Sequence, residues 1–137
     1  MKLIVCIDLN NGMLFNNRRQ SKDRSLIEHI YNLVGENKLW ITEFSKKLFE
    51  EENYNLFEID DIKNIKEDDF IFIENYSPKI LEDKLNEIIL FNWNRNYPAD
   101  LYFDIALDNW NLDSEIEIEG SSHEKITQKI YRRENNG

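Results

Sequence analysis

Four cations crowd the stretch Arg18, Arg19, Lys22 and Arg24, in a chain whose formal net charge is -10. Such a cluster suits an anion: a phosphate-bearing ligand, an RNA phosphate or an acidic partner surface. Equally, it can pair with the chain's own surplus carboxylates. Two histidines, His29 and His123, lack the cysteine support and the spacing of a zinc site, and no HExxH occurs. Ser121-Ser122-His123-Glu124 sets hydroxyl, imidazole and carboxylate side by side. Neighbours in sequence rarely converge as a triad, so this run is expected to be turn chemistry. The acidic runs Glu50–Glu52, Asp60-Asp61 and Glu67–Asp69 lack the pattern of a calcium loop and read as solvated ends. Cys6, mid-strand among apolar neighbours, reads as a buried, inert thiol. No P-loop, GxSxG or GxGxxG is present. The sequence therefore assigns no metal ligands.

Composition narrows the partners. With 137 residues the chain has room for one core, and 41% hydrophobic and 12% aromatic content is enough to build it. A surplus of 27 acidic over 17 basic side chains argues against general nucleic-acid binding, which needs clustered Lys and Arg. It would steer the protein toward basic partners. The single cysteine cannot form an internal disulfide, and MKLIVCID is too short for a signal core or a membrane span. A cytoplasmic protein away from membranes is expected.

The elements that must position these groups are legible as apolar runs. Residues 84–105 organise the chain: Ile88–Phe91 is long and apolar enough for a buried central strand, and an aromatic excursion punctuated by Pro98 follows. Leu3–Ile7 predicts a buried strand, then a turn at Asn10-Asn11-Gly12 and a loop from Met13 to Arg19. Ser21 is expected to cap a helix reaching Val34, with Asp23 in its first turn, Leu26, Ile27, Ile30, Tyr31 and Val34 inward, and Gly35 closing it. Lys38–Ile41 is a short strand. A second helix from Thr42 or Glu43 turns Phe44, Leu48 and Phe49 inward and ends at Glu50–Glu52. Short strands follow at Asn55–Ile59 and Phe70–Ile73, with a helical turn or two between them. Ser77-Pro78 opens a helix through Leu85. Leu112, Ile116 and Ile118 alternate with acids over Asn111–Glu119, which predicts a half-exposed antiparallel strand, and Lys125–Arg133 is the last. Strand–helix alternation first and paired antiparallel strands last predict a single α/β domain with a mixed, mainly parallel sheet, flanking helices and a C-terminal antiparallel hairpin.

In this order the chain resembles the dihydrofolate reductase family. IVCIDLNNGMLFNN (residues 4–17) looks like that family's first strand and mobile loop. NEIILFNW, PADLYFDI, DNW and SSHEKITQKIYRR look like its late strand, its aspartate–aromatic segment, its Asp-x-Trp and its closing hairpin. The resemblance implies a pterin-binding carboxylate at Asp23, although the family's preceding Pro-Trp is replaced by NNRRQSKD. It also implies an NADPH cradle near Thr42-Glu43-Phe44-Ser45 and Glu74-Asn75. There the family's phosphate-binding arginine and glycine correspond to Glu43 and Glu74. Carboxylates about 4 Å from phosphate oxygens repel them by about 1 kcal/mol even in water-like dielectric. No cofactor is therefore expected.

The resulting expectation is a catalytically degenerate dihydrofolate-reductase-like domain that binds a small molecule or another protein. Asp23, Met13, Phe15 and Ile27 are expected to line the old pterin cleft, with Arg18 and Arg19 at its mouth. The alternative is an acidic inhibitor, of the immunity-protein kind, that neutralises a basic nuclease or another cationic partner. A second alternative is a residual pterin-related oxidoreductase, in which Asp23 would be the catalytic group.

Overall fold

Alternate residues of the first strand, β1 (Lys2–Ile7), belong to two different cores, and that division sets the architecture. Leu3, Val5 and Ile7 face one hydrophobic cluster and Ile4 faces the other. A strand buried on both faces reads as a continuous apolar run, as LIVCI does. In this computed structural model, residues 1–49 and 55–133 are described. The expected helix end at Glu50–Glu52 falls outside them.

Seven strands form the main sheet in the order β5-β4-β6-β1-β7-β10-β9. Here β4 is Leu39–Ile41, β5 is Leu56–Glu58, β6 is Phe70–Phe72, β7 is Glu87–Asn92, β9 is Trp110–Ile118 and β10 is Ile126–Arg133. β1 runs parallel to β6 and β7, β4 runs parallel to β5 and β6, and β10 runs antiparallel to β7 and β9. The domain is thus a mixed, mainly parallel α/β sheet with an antiparallel C-terminal edge, as its sequence predicts. The strand expected to be half-exposed is β9 at that edge, and it is more open than its alternation predicts: Trp110 is buried, whereas Leu112 and Ile116 are exposed along with the acids between them.

Helix α1 (Arg24–Val34) covers one face through Leu26, Ile30, Tyr31 and Val34, which pack with Phe49, Phe72, Ile89 and Phe91. Gly35, at φ 60°, ends it by donating its N–H to the Tyr31 carbonyl. The opposite face is filled by Leu81, Leu85, Phe103, Ile105 and Trp110. The aromatic excursion after β7 is therefore largely core, with Tyr102 left exposed.

Four expectations need correction. The helix cap is Asp23, not Ser21; its carboxylate accepts from the Leu26 amide, and the helix starts at Arg24. A carboxylate caps as well as a hydroxyl, and here the later residue wins. The segment expected to be a loop contains β2 (Gly12–Phe15) and β3 (Arg18–Arg19), which join β8 (Leu101–Tyr102) in a small sheet of order β3-β2-β8. Such short strands are fixed by pairing rather than by propensity. The segments 43–49 and 78–84 are 3-10 rather than α-helical. Each is too short to recover the cost of α-helix nucleation. Ser77 does cap the second of them, accepting from the Lys79 amide, and Pro78 opens it.

Among the described residues no helix is long and apolar enough to cross a membrane, and no group of acidic, His and Cys side chains is arranged to hold a metal ion.

Candidate functional site

The parallel strands converge on Asp8 after β1, Glu74 after β6 and Trp93 after β7, and β10 starts at the same end. Ligands of open α/β sheets bind outside the carboxyl ends of the strands. Asp8 ties this end together. Its carboxylate accepts from the amides of Asn10 and Gly12 (both 2.8 Å), from the Tyr97 amide and from the Gln20 side chain (both 3.2 Å). The turn after β1, the approach to Pro98 and the segment entering α1 are thereby held against one another. Gly12 is required in this knot, because a Cβ there would lie 2.7 Å from that of Ala99 and 2.9 Å from Asp8 Oδ2.

Asp23 is the most heavily bonded group of the site. Its Oδ1 accepts from the amides of Leu26 (3.1 Å) and Ser121 (3.0 Å) and from the Ser121 hydroxyl (3.1 Å). Its Oδ2 accepts from the Ser122 amide (2.8 Å), the Ser122 hydroxyl (3.1 Å) and His123 Nδ1 (3.0 Å). The turn between β9 and β10 is thus folded down onto the helix cap. Gly120 permits the approach, since a Cβ there would lie 2.5 Å from the His123 carbonyl and 2.7 Å from Asp23 Oδ2.

Burial alone works to raise the Asp23 carboxyl. The Ser121 amide, the His123 ring and the Ser122 and Leu26 amides outweigh it and hold the group well below the usual carboxylate range. With the folded value depressed, this contribution to stability is complete above the unfolded Asp pKa of about 4 and is lost as pH falls through that value toward the folded one. Urea midpoints measured from about pH 6 down to about pH 2.5 should fall more steeply for the native chain than for Asp23→Asn. Parallel slopes would remove Asp23 as a source of the acid sensitivity.

His123 lies in the turn that its sequence predicts, and its side chain is buried there, at 5% exposure. An ionised Asp23 only accepts, so Nδ1 carries a proton. In the neutral ring Nε2 is then the acceptor, with the Ser21 hydroxyl at 2.9 Å and the Tyr97 hydroxyl at 3.4 Å. The ring stacks on Trp93 with centroids 4.6 Å apart and planes 30° from parallel. Glu124 takes no part. The carboxylate and hydroxyl come from the entry to α1, about a hundred residues away in sequence.

A second polar cluster lies at the end of β6. Glu74 is buried and receives a two-pronged contact from Arg19 (Nε to Oε1 2.7 Å, the terminal NH2 to Oε2 2.6 Å) and the Ser45 hydroxyl at 2.7 Å. Arg19 also lies over the Phe44 ring at 5.5 Å. Of the two carboxylates expected to obstruct a cofactor cradle, Glu74 thus faces an arginine and a serine, whereas Glu43 is exposed. The Cys6 thiol is pushed up by burial and then by nearby Glu74, which agrees with an unreactive cysteine.

Met13, Arg19, Asp23 and Ile27 all line one cavity, together with Cys6 and Trp93. Its volume is about 20 Å³, roughly what one water molecule needs and far below the ~300–1,000 Å³ of small-molecule pockets. Phe15 is not part of it. Phe15 borders a separate groove of about 220 Å³ with Arg18, Tyr97 and Pro98. The roomier space is a third, open groove of about 450 Å³, lined by Arg18, Arg19, Ser21, Lys22, Phe44 and Lys47. Among the described residues no carboxylate lies within ion-pair distance of Arg18, Lys22 or Lys47. Arg18 and Arg19, adjacent in sequence, thus divide between an open cation and an internal pair. No spacing rule links Ser21, His123 or Gly120 to Asp23. The one available signal was a glycine followed by two hydroxyl residues and a histidine in a hairpin turn.

No protein-family model matches the sequence, and no curated protein matches it. Among solved structures, the chain is similar to a dihydrofolate reductase from Enterococcus faecalis, complexed with NADP(H) and RAB-propyl. The TM-score is 0.70 at 10% identity, over 98% of this chain and 96% of that one. At that identity the likeness is one of architecture alone, and on it the chain is a single α/β domain with a dihydrofolate-reductase-like fold.

Proposed function

We propose that this domain is a catalytically degenerate relative of the reductases whose fold it shares, and that it binds a small anionic ligand in the groove between Arg18, Lys22, Lys47 and Phe44. The observation that carries this reading is the engagement of Asp23. The carboxylate that would meet a pterin accepts six hydrogen bonds from its own chain, and the space beside it is the size of one water. Open volume lies one step outward beside Arg18, Lys22 and Lys47, which have no carboxylate within ion-pair distance among the described residues. A phosphate or carboxylate there would gain charge-assisted hydrogen bonds, and Phe44 would offer an apolar or aromatic body a surface to lie on. Glu74 satisfies Arg19 internally, which leaves the outer cations to the ligand. A single free cysteine, Cys6, suits a reducing, cytoplasmic setting.

Calorimetric titration with inorganic phosphate and with adenosine monophosphate tests the reading. Binding should weaken with added salt and fall about tenfold or more in Arg18→Ala/Lys22→Ala, since each charge-assisted contact is worth about 1.5–3 kcal/mol before solvent screening. Dihydrofolate should leave NADPH unoxidised. Turnover of that pair would restore the oxidoreductase reading. Salt-sensitive capture of a basic protein, with no anion binding, would replace the proposal with the acidic-inhibitor reading.

A further inference from the structure

We infer that Ser21 is a nucleophile, activated by His123 and Asp23, and that it attacks activated acyl esters carrying an anionic group. The substrate class rests on the anion-binding groove proposed above; the nucleophile does not. A nucleophilic serine is recognised by a hydrogen bond to a base that a third group orients. Ser21 Oγ lies 2.9 Å from His123 Nε2, and His123 Nδ1 lies 3.0 Å from Asp23 Oδ2. Asp23 is fixed in turn by backbone amides from two elements, and the imidazole is held flat against Trp93. The three groups therefore form a relay in which only Ser21 reaches open space.

Two features separate this arrangement from a simple staple of the β9–β10 turn. A staple needs only Nδ1, because that nitrogen alone meets the helix cap, whereas here the second ring nitrogen meets a hydroxyl. The Ser21 hydroxyl is also not consumed by capping, since Asp23 caps the helix. Ser21 instead lines both the water-sized cavity and the cationic groove, and a substrate enters from the groove.

In the acylation step the Oγ–H proton passes to His123 Nε2 as the Oγ–C bond forms. The ester C–O bond then breaks: an alkoxide takes the proton from His123 Nε2 and departs as the alcohol, whereas a phenolate departs as the anion and His123 releases the proton to solvent, so that Nε2 is again free to accept. Solvent water next attacks the acyl carbon. His123 takes the water proton, the Oγ–C bond breaks, Ser21 recovers its hydrogen and a carboxylic acid is released. No redox partner is needed. Arg18, Lys22 and Lys47 place positive charge on the side from which the substrate's anionic group arrives.

The test uses the whole chain with p-nitrophenyl acetate and with the p-nitrophenyl half-ester of succinic acid, followed by release of p-nitrophenolate and by intact-mass and peptide mass spectrometry. An acyl adduct on the peptide containing Ser21 is expected, absent in Ser21→Ala and formed about 100-fold or more slowly in His123→Gln. The charged ester should react faster than the neutral one, with the preference reduced in Arg18→Ala/Lys22→Ala. Should His123→Gln fail to fold, Ser21→Ala decides, since its hydroxyl caps nothing and its loss leaves the fold standing. Adduct formation without preference for the charged ester upholds the nucleophile and removes the groove as its selector. No adduct on Ser21, or equal labelling of Ser121 and Ser122, overturns the inference, whether or not phosphate binds.

Discussion

Asp23→Ala is expected to destabilise the domain by about 3–5 kcal/mol, the range for removing one partner of a buried charged network. The substitution strips the cap from α1, worth about 1 kcal/mol, and strands the amides of Ser121 and Ser122 and the His123 ring. Part of that cost is recoverable, because the turn at 120–123 can swing toward water. For a chain of this size the loss corresponds to a melting temperature lower by about 10 °C or more. Urea unfolding followed by tryptophan fluorescence is a suitable measurement, because Trp93 stacks on His123 and senses the turn leaving. A loss below about 1 kcal/mol would mean that the turn is held by something other than the carboxylate.

The second large effect is expected at Glu74. Glu74→Leu should cost about 2–3 kcal/mol, less than a fully buried pair, because the Arg19 side chain is 24% exposed against 6% for Glu74. The substitution leaves the guanidinium facing an apolar group and deprives the Ser45 hydroxyl of its acceptor. Adding Arg19→Met removes the stranded charge and should return part of the loss, with a coupling of about 1 kcal/mol or more between the two positions. Additive effects would show that the pair is a surface contact in energetic terms, and the polar cluster would lose its role in closing the space beneath the groove.

Much of the frame can be read from residue order, for a definite reason. LIVCI, FIF and EIILF are strands buried on both faces, so their apolar character is continuous and needs no partner to be recognised. Leu26, Ile30, Tyr31 and Val34 repeat at helical spacing because one face of α1 meets one sheet. The candidate site is far less legible. Asp23 can be singled out as a carboxylate at a helix start, but its partners lie across the sheet, and local rules assign Ser121, Ser122 and His123 to a turn. Glu74 and Arg19 can be read separately as an obstructed cradle and an anion-seeking cation. Only the fold shows that they satisfy each other. The small β3-β2-β8 sheet escapes for the same reason, since two-residue strands exist through pairing alone.

The placement of β1 at the centre of the large sheet has a kinetic consequence. Lys2 is in register with Phe70 on one side and Glu87 on the other, and among the described residues no nearer segment pairs with that strand. Closing such distant contacts costs chain entropy before any sheet hydrogen bond offsets it, so folding waits on a long search rather than on local helix formation. Until β6 and β7 arrive, LIVCI is an unpaired apolar ribbon able to join a second molecule, and crowded refolding will favour aggregation over dilute refolding at equal final stability.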